Sequence, residues 1–122
     1  MIGQIRKTIT PYYDKSTKST RFKSRPALIL KETNGDYIVL PISKIRFQKN
    51  VDPEYDLRIE VSKYPNLGLT VDSYIRTGKQ TVINRAGIAD EISNLKNEYP
   101  ELFLSIVNKL EQFQLLMISE LK

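Results

Sequence analysis

The sequence contains no cysteine and no histidine among its 122 residues. Without cysteine the chain can form neither disulfides nor thiolate nucleophiles, and it can offer no thiolate ligand to a metal. Without histidine it lacks the side chain that most often serves as a general base near neutral pH and that most often binds metals. Any catalysis must therefore use Arg, Lys, Ser, Thr, Tyr, Asp or Glu.

Long apolar segments are also missing. No apolar run approaches the eighteen residues that a transmembrane helix needs. Polar Gln4, Arg6 and Lys7 interrupt the opening segment, which does not match the apolar stretch of a secretion signal. We therefore expect a cytoplasmic protein without a membrane partner. The length suits one domain over residues 1–122, with a barrel over about 1–92 and a helix over about 99–121.

Positive charge is concentrated in the first part of the chain. Residues 1–49 contain 11 Lys or Arg against 3 Asp or Glu, whereas the remaining residues contain 8 against 11. Lysine and arginine bind phosphates and release condensed counterions, so this half favours a polyanion, nucleic acid first. Such a bias also occurs in basic proteins that bind nothing specific.

The pattern along the chain predicts a mainly β fold. Residues 2–9, 26–32, 36–43, 57–61, 71–75 and 80–83 read as strands, and Asn34-Gly35 predicts a tight hairpin turn between the second and third. Residues 88–92 fit a last strand or a helical turn equally well. The polar tract 11–24 predicts a long mobile loop, and 44–56 a second loop. Five to seven short strands indicate a small, strongly curved barrel.

The C-terminal segment predicts one long amphipathic helix. Apolar residues recur every three or four positions after Pro100, which suits a first helical turn. The stripe fits packing against the barrel, and part of it fits a dimer interface. It consists of Phe103, Ile106, Leu110, Phe113, Met117 and Leu121.

Acidic residues in the second loop do not form a metal-binding pattern. Asp52, Glu54 and Asp56 alternate, but Pro53 interrupts them and the glycine and terminal glutamate of a calcium loop are not in place. We expect neither a metal nor a cofactor.

Five short motifs lie in order along most of the chain. They are Gly3-Gln4-Ile5, Arg25-Pro26-Ala27-Leu28-Ile29-Leu30, Val39-Leu40-Pro41-Ile42-Ser43, Asp72-Ser73-Tyr74-Ile75 and Val82-Ile83-Asn84. In order and spacing these motifs resemble the PemK/MazF toxins, endoribonucleases of bacterial type II toxin-antitoxin systems. The resemblance implies an SH3-like barrel, a homodimer, a cognate antitoxin and metal-independent cleavage of single-stranded RNA, as in an mRNA interferase.

The resemblance implies two catalytic residues. Arg25 falls on the arginine of the family's Arg-Pro motif, and Ser43 falls where the family usually has a catalytic threonine. A guanidinium stays charged and can bind two phosphate oxygens at once, while a serine hydroxyl can donate a hydrogen bond to a non-bridging phosphate oxygen. The plainer interpretation makes Arg25 a surface charge and lets Ser43 bond its own backbone. No base for the 2′-hydroxyl is identified.

Basic residues in the two predicted loops are candidate RNA contacts. Lys15, Lys18, Arg21 and Lys23 alternate with rings that can stack on unpaired bases, and Lys44 and Arg46 follow Ser43 directly. A solvated loop explains the same residues nearly as well. A different class of function stays open, namely a non-catalytic nucleic-acid-binding module or a gyrase-poison-like module on the same barrel.

Overall fold

The computed structural model describes all residues, 1–122, as seven strands and two helices. The strands are β1 (Gln4–Asp14), β2 (Ser19–Thr33), β3 (Asp36–Ser43), β4 (Asp56–Ile59), β5 (Ser73–Arg76), β6 (Thr81–Asn84) and β7 (Ile88–Asn94), followed by α1 (Leu95–Glu98) and α2 (Pro100–Leu121).

One antiparallel sheet contains all seven strands in the order β4-β5-β3-β2-β1-β7, with β6 also paired to β3. The start of β3 pairs with β6, as in Asp36 opposite Asn84, whereas its end pairs with β5, as in Ile42 opposite Ile75. A single strand thereby passes from one set of partners to another, which curls the sheet. The predicted mainly β fold with a C-terminal helix is confirmed, and the ambiguous segment 88–92 is a strand.

The central hairpin forms where the sequence predicts it. Gly35 adopts a φ of +84°, a left-handed conformation that glycine takes without steric cost, and this reverses the chain between β2 and β3. The register shifts between Ile29 and Lys31, so a bulge adds curvature to β2.

Apolar residues alternate along the strands and form a cluster on each face of the sheet. Leu28 and Leu40 belong to the larger cluster, which packs against Leu102 and Ile106 of α2. The smaller cluster lies on the opposite face and consists of Ala27, Ile29, Tyr37, Val39 and Ile83. Because β2 and β3 are covered on both sides, their ends are fixed in position.

The prediction of a mobile loop over 11–24 is wrong. Beyond Thr8 and Arg25 the strands β1 and β2 continue as a two-stranded ribbon, with pairs running from Ile9 opposite Ser24 to Asp14 opposite Ser19. We call residues 9–24 the arm. Backbone pairing satisfies its N–H and C=O groups although its side chains are polar, and composition does not reveal that pairing.

The stripe of α2 divides into two parts. Ile106 is fully buried, and Phe113 packs edge to face on Tyr55 with ring centroids 5.1 Å apart. Beyond Phe113 the stripe leaves the barrel, because Met117 and Leu121 are exposed. Neither helix combines the length and the hydropathy that a membrane span requires.

Candidate functional site

Strand pairing brings Arg25 and Ser43 to one edge of the sheet. Ala27 lies opposite Pro41, so the same register extended by two residues sets Arg25 opposite Ser43 and on the same face. On the other side of β2, the Thr8 hydroxyl donates a hydrogen bond of 2.9 Å to the Arg25 carbonyl. Both backbones are therefore held by neighbouring strands.

A pocket of about 310 Å³ lies at this edge, and we call it the Arg25 pocket. Arg25, Ser43 and Lys44 line one side, and a segment that precedes β5 lines the other. Hydroxyl groups and two cations line it without any carboxylate, a combination that suits an anionic group such as a phosphate. The remaining lining residues are Pro26, Ile42, Leu69, Thr70, Val71 and Ser73.

A second depression of about 450 Å³ adjoins the first, and we call it the Phe47 depression. Arg25, Ser43 and Lys44 line both, so the two are continuous. Four cations line the second depression and no carboxylate does, which gives it a strongly positive surface. It is completed by Ile45, Arg46, Phe47, Asn50 and Arg76.

Arg76 is fixed by a buried carboxylate. Its Nε lies 3.1 Å from Asp56 Oδ1 and its Nη2 lies 3.3 Å from Asp56 Oδ2, a two-pronged pair between cross-strand neighbours of β4 and β5. The side chain of Asp56 is 2% exposed, whereas that of Arg76 is 24% exposed. The pair thus holds the arginine with part of its guanidinium open to the depression.

Two acidic residues of the 44–56 loop, Asp52 and Asp56, accept hydrogen bonds from backbone N–H groups of the loop. Asp52 Oδ1 accepts hydrogen bonds from the N–H groups of Glu54 and Tyr55, and Asp56 accepts one from Asp52 N–H at 2.8 Å. These bonds close the loop and place Asp56 beneath Arg76.

The cations of the two depressions and of the arm form two groups, and the predicted RNA contacts among them are Lys44, Arg46 and the four cations of the arm. We call Arg25, Lys44, Arg46 and Arg76 the strand-end cations, because they line the two depressions. We call Lys15, Lys18, Arg21 and Lys23 the arm cations. None of the arm cations lines either depression, so the arm bounds neither of them.

The arm cations are individually placed. Arg21 Nε lies 3.5 Å from Asp14 Oδ2, and Lys23 Nζ lies 4.6 Å from the centre of the Tyr12 ring. Alternation along β2 puts Arg21 and Lys23 on the same face as Arg25. Lys15 and Lys18 occupy the exposed turn between the strands.

Asp14 helps to shape that turn. Its carboxylate accepts hydrogen bonds from the Ser16 hydroxyl at 2.6 Å and from the Ser16 N–H at 2.9 Å. These bonds favour the charged form and hold the pKa of Asp14 below its ordinary value.

The sequence did not point to Thr70, Ser73, Phe47 or Arg76 as site residues. Thr70 lies in a segment that reads as an ordinary connection, and Ser73 lies in the predicted strand that follows it. The Ser73 hydroxyl donates a hydrogen bond of 2.9 Å to the Val71 carbonyl. Arg76 follows a predicted strand that has no visible link to β3. An exposed ring among the cations of the 44–56 loop was the available signal for Phe47.

The comparisons with known proteins give one fold. No protein-family model and no curated protein matches the sequence. Among solved structures, the chain is similar to the Mycobacterium tuberculosis toxin MazF-mt6, with a TM-score of 0.55 and 18% sequence identity over 88% of this chain and 96% of that chain. The chain therefore has a MazF-like fold.

Proposed function

We propose that the protein is an endoribonuclease toxin that cleaves single-stranded RNA without a metal. The observation that carries the proposal is the convergence of Arg25, Ser43 and Lys44 on one pocket that no carboxylate lines. The fold is similar to that of the toxin MazF-mt6, and Arg25 and Pro26, whose motif resembles the PemK/MazF family, both line the pocket.

The reaction starts with attack of an RNA 2′-hydroxyl oxygen on the adjacent phosphorus. The new O–P bond forms as the bond to the 5′ oxygen breaks, which leaves a 2′,3′-cyclic phosphate and a free 5′-hydroxyl. In the transition state negative charge grows on the non-bridging oxygens, and a fixed guanidinium stabilises that charge more strongly than it stabilises the starting diester. We assign this role to Arg25.

Ser43 orients the phosphate. Its position opposite Arg25 lets the hydroxyl donate to a non-bridging oxygen and hold the attack in line. The chain has no histidine, and no carboxylate lines the pocket. We therefore propose that water accepts the proton of the 2′-hydroxyl and that water also donates the proton taken up by the 5′ oxygen. The remaining phosphates of the RNA chain are bound by six cations, namely Lys15, Lys18, Arg21, Lys23, Lys44 and Arg46.

We further propose that the toxin acts in the cytoplasm as a homodimer restrained by a cognate antitoxin. The end of α2 supports a protein contact, because Leu115, Leu116, Met117, Ile118 and Leu121 are all exposed. Light scattering on the purified protein tests the dimer, and a monomer at micromolar concentration would contradict it.

The deciding experiment incubates purified protein with single-stranded RNA in EDTA. We expect cleavage with the chelator present and products that end in a cyclic phosphate, and we expect Arg25→Ala to abolish it. Arg85→Ala is the matched control, because Arg85 lies beside Gly35 at the other end of the β2–β3 hairpin. Intact RNA that is tightly retained would instead indicate a non-catalytic binder.

A further inference from the structure

Phe47 is an apolar ring placed among cations. Its residue surface is 60% exposed, and the ring belongs to neither hydrophobic cluster. Lys44, Arg46 and Lys49 surround it in sequence, and Lys49 Nζ lies 5.9 Å from the ring centre. Rings beside phosphate-binding cations are the common feature of surfaces that hold unpaired nucleotides.

Arg76 supplies a preorganised anion contact to the same depression. Its Nε and Nη2 are engaged by Asp56, and Nη2 also donates to the Asn50 carbonyl at 3.4 Å. Its Nη1 donates to no protein group. A guanidinium that is held on one side and free on the other loses little side-chain entropy when it binds an anion.

Charge also selects the ligand. The four strand-end cations meet one buried carboxylate, Asp56, so the depression keeps an excess of positive charge. Its volume of about 450 Å³ lies within the range of small-ligand sites. A single nucleotide unit, with one phosphate and one flat base, matches both properties.

We propose that the Phe47 depression binds the nucleotide next to the scissile phosphate, with its base stacked on Phe47 and its phosphate bound by Arg76. The proposal rests on the proposed function for the identity of the scissile phosphate. Continuity supports it, because a chain whose phosphate lies at Arg25 and Ser43 enters this depression directly.

Binding of an uncleavable ligand tests the site separately from cleavage. The probe is a fluorescent single-stranded oligonucleotide with 2′-fluoro riboses, which lacks the attacking hydroxyl, and anisotropy gives its Kd at several salt concentrations. We expect Phe47→Ala to weaken binding about ten-fold, since one base stack is lost, and to leave the salt dependence unchanged. Phe47→Tyr keeps the stack and should bind as the wild type does.

Leu104→Ala is the matched control. Leu104 is also 60% exposed but lies on α2 and lines neither depression. We expect it to bind normally, and we expect both alanine variants to keep the wild-type melting temperature because each removes an exposed side chain.

The variant Arg76→Lys tests the contribution of the guanidinium to binding separately from that of the Phe47 ring. A lysine keeps a positive charge but loses the fork, so we expect weaker binding than the wild type with a nearly unchanged salt slope. A probe carrying 4-thiouridine should crosslink to the 44–50 segment on irradiation, with Phe47 as the major site by mass spectrometry.

Each outcome has a defined meaning. Normal probe binding by Phe47→Ala, or no retention of the probe by the wild type, overturns the nucleotide site even if RNA is cleaved. Probe binding that depends on Phe47 in a protein that does not cleave RNA supports the nucleotide site and overturns the nuclease.

Discussion

The strand-end cations and the arm cations carry the same charge, yet their surroundings differ. The first group comes from β2, from β5 and from the segment after β3, and it lines two continuous depressions together with Ser43. The second group lies on a ribbon that is paired only within itself, beside solvent. The difference indicates that the candidate site depends on the convergence of groups on one pocket, and not on the local density of lysine and arginine.

The ion pair in each region offers the sharpest test of this difference. Arg76→Ala leaves Asp56 charged and buried, so we expect the free energy of unfolding to fall by about 3 kcal/mol. Arg21→Ala breaks the pair with Asp14, where the arginine side chain is 56% exposed, and should leave the free energy of unfolding nearly unchanged. Urea denaturation measures both, and equal losses would contradict the comparison.

Arginine should be required in one region and replaceable by lysine in the other. We expect Arg25→Lys to lower kcat about 100-fold, because a point charge cannot grip two phosphate oxygens as they gain charge. Arg21→Lys should retain nearly full activity. Initial rates of RNA cleavage in EDTA measure the activity of both variants. A fully active Arg25→Lys enzyme would contradict the bidentate role of Arg25.

The arm cations should act on binding and leave the chemical step alone. For the double variant Lys15→Gln with Lys18→Gln we expect KM to rise a few-fold at unchanged kcat, and the salt slope of RNA binding to fall by about 1.4 if both lysines contact phosphates. Steady-state kinetics at several salt concentrations measure both quantities. A large loss of kcat would contradict this prediction, because it would indicate that the arm cations act in the chemical step.

The smallest expected effect concerns acid pH at the arm. The folded pKa of Asp14 is lowered by its hydrogen bonds with Ser16, so the carboxylate stabilises the turn above its unfolded pKa. That contribution is lost as pH falls through the folded pKa, which opens the turn only in strong acid. A side-chain NMR titration should give a midpoint below that of an unfolded peptide, and Ser16→Ala should raise it.

Much of the fold could be predicted because its signals are local. Asn34-Gly35 predicted the hairpin, the alternation around Leu28 and Leu40 predicted buried strands, and the spacing from Phe103 to Phe113 predicted the packed part of α2. The arm was missed because polar residues with little apolar alternation were read as a loop. Cross-strand hydrogen bonds stabilise such a ribbon, and periodicity does not detect them.

The candidate site was predicted in part for a similar reason. Arg25 and Ser43 belong to one hairpin, so adjacent strands bring them together. Arg76 and Thr70 come from a distant segment, and their position depends on the pairing of β3 with β5. A strand pattern shows that a segment pairs, but it does not show with which strand.

The sequence by itself determined the period of each element, the turn at Gly35, the positive charge of the first half and a chemistry without histidine or cysteine. Only the tertiary structure decided which cations converge. Because β3 pairs with β5 as well as with β6, Arg76 lines the same depression as Arg25, and its ion pair with the buried Asp56 fixes its guanidinium. The physical reason is that period and turn preference arise from neighbouring residues, whereas a site is assembled by long-range pairing and burial.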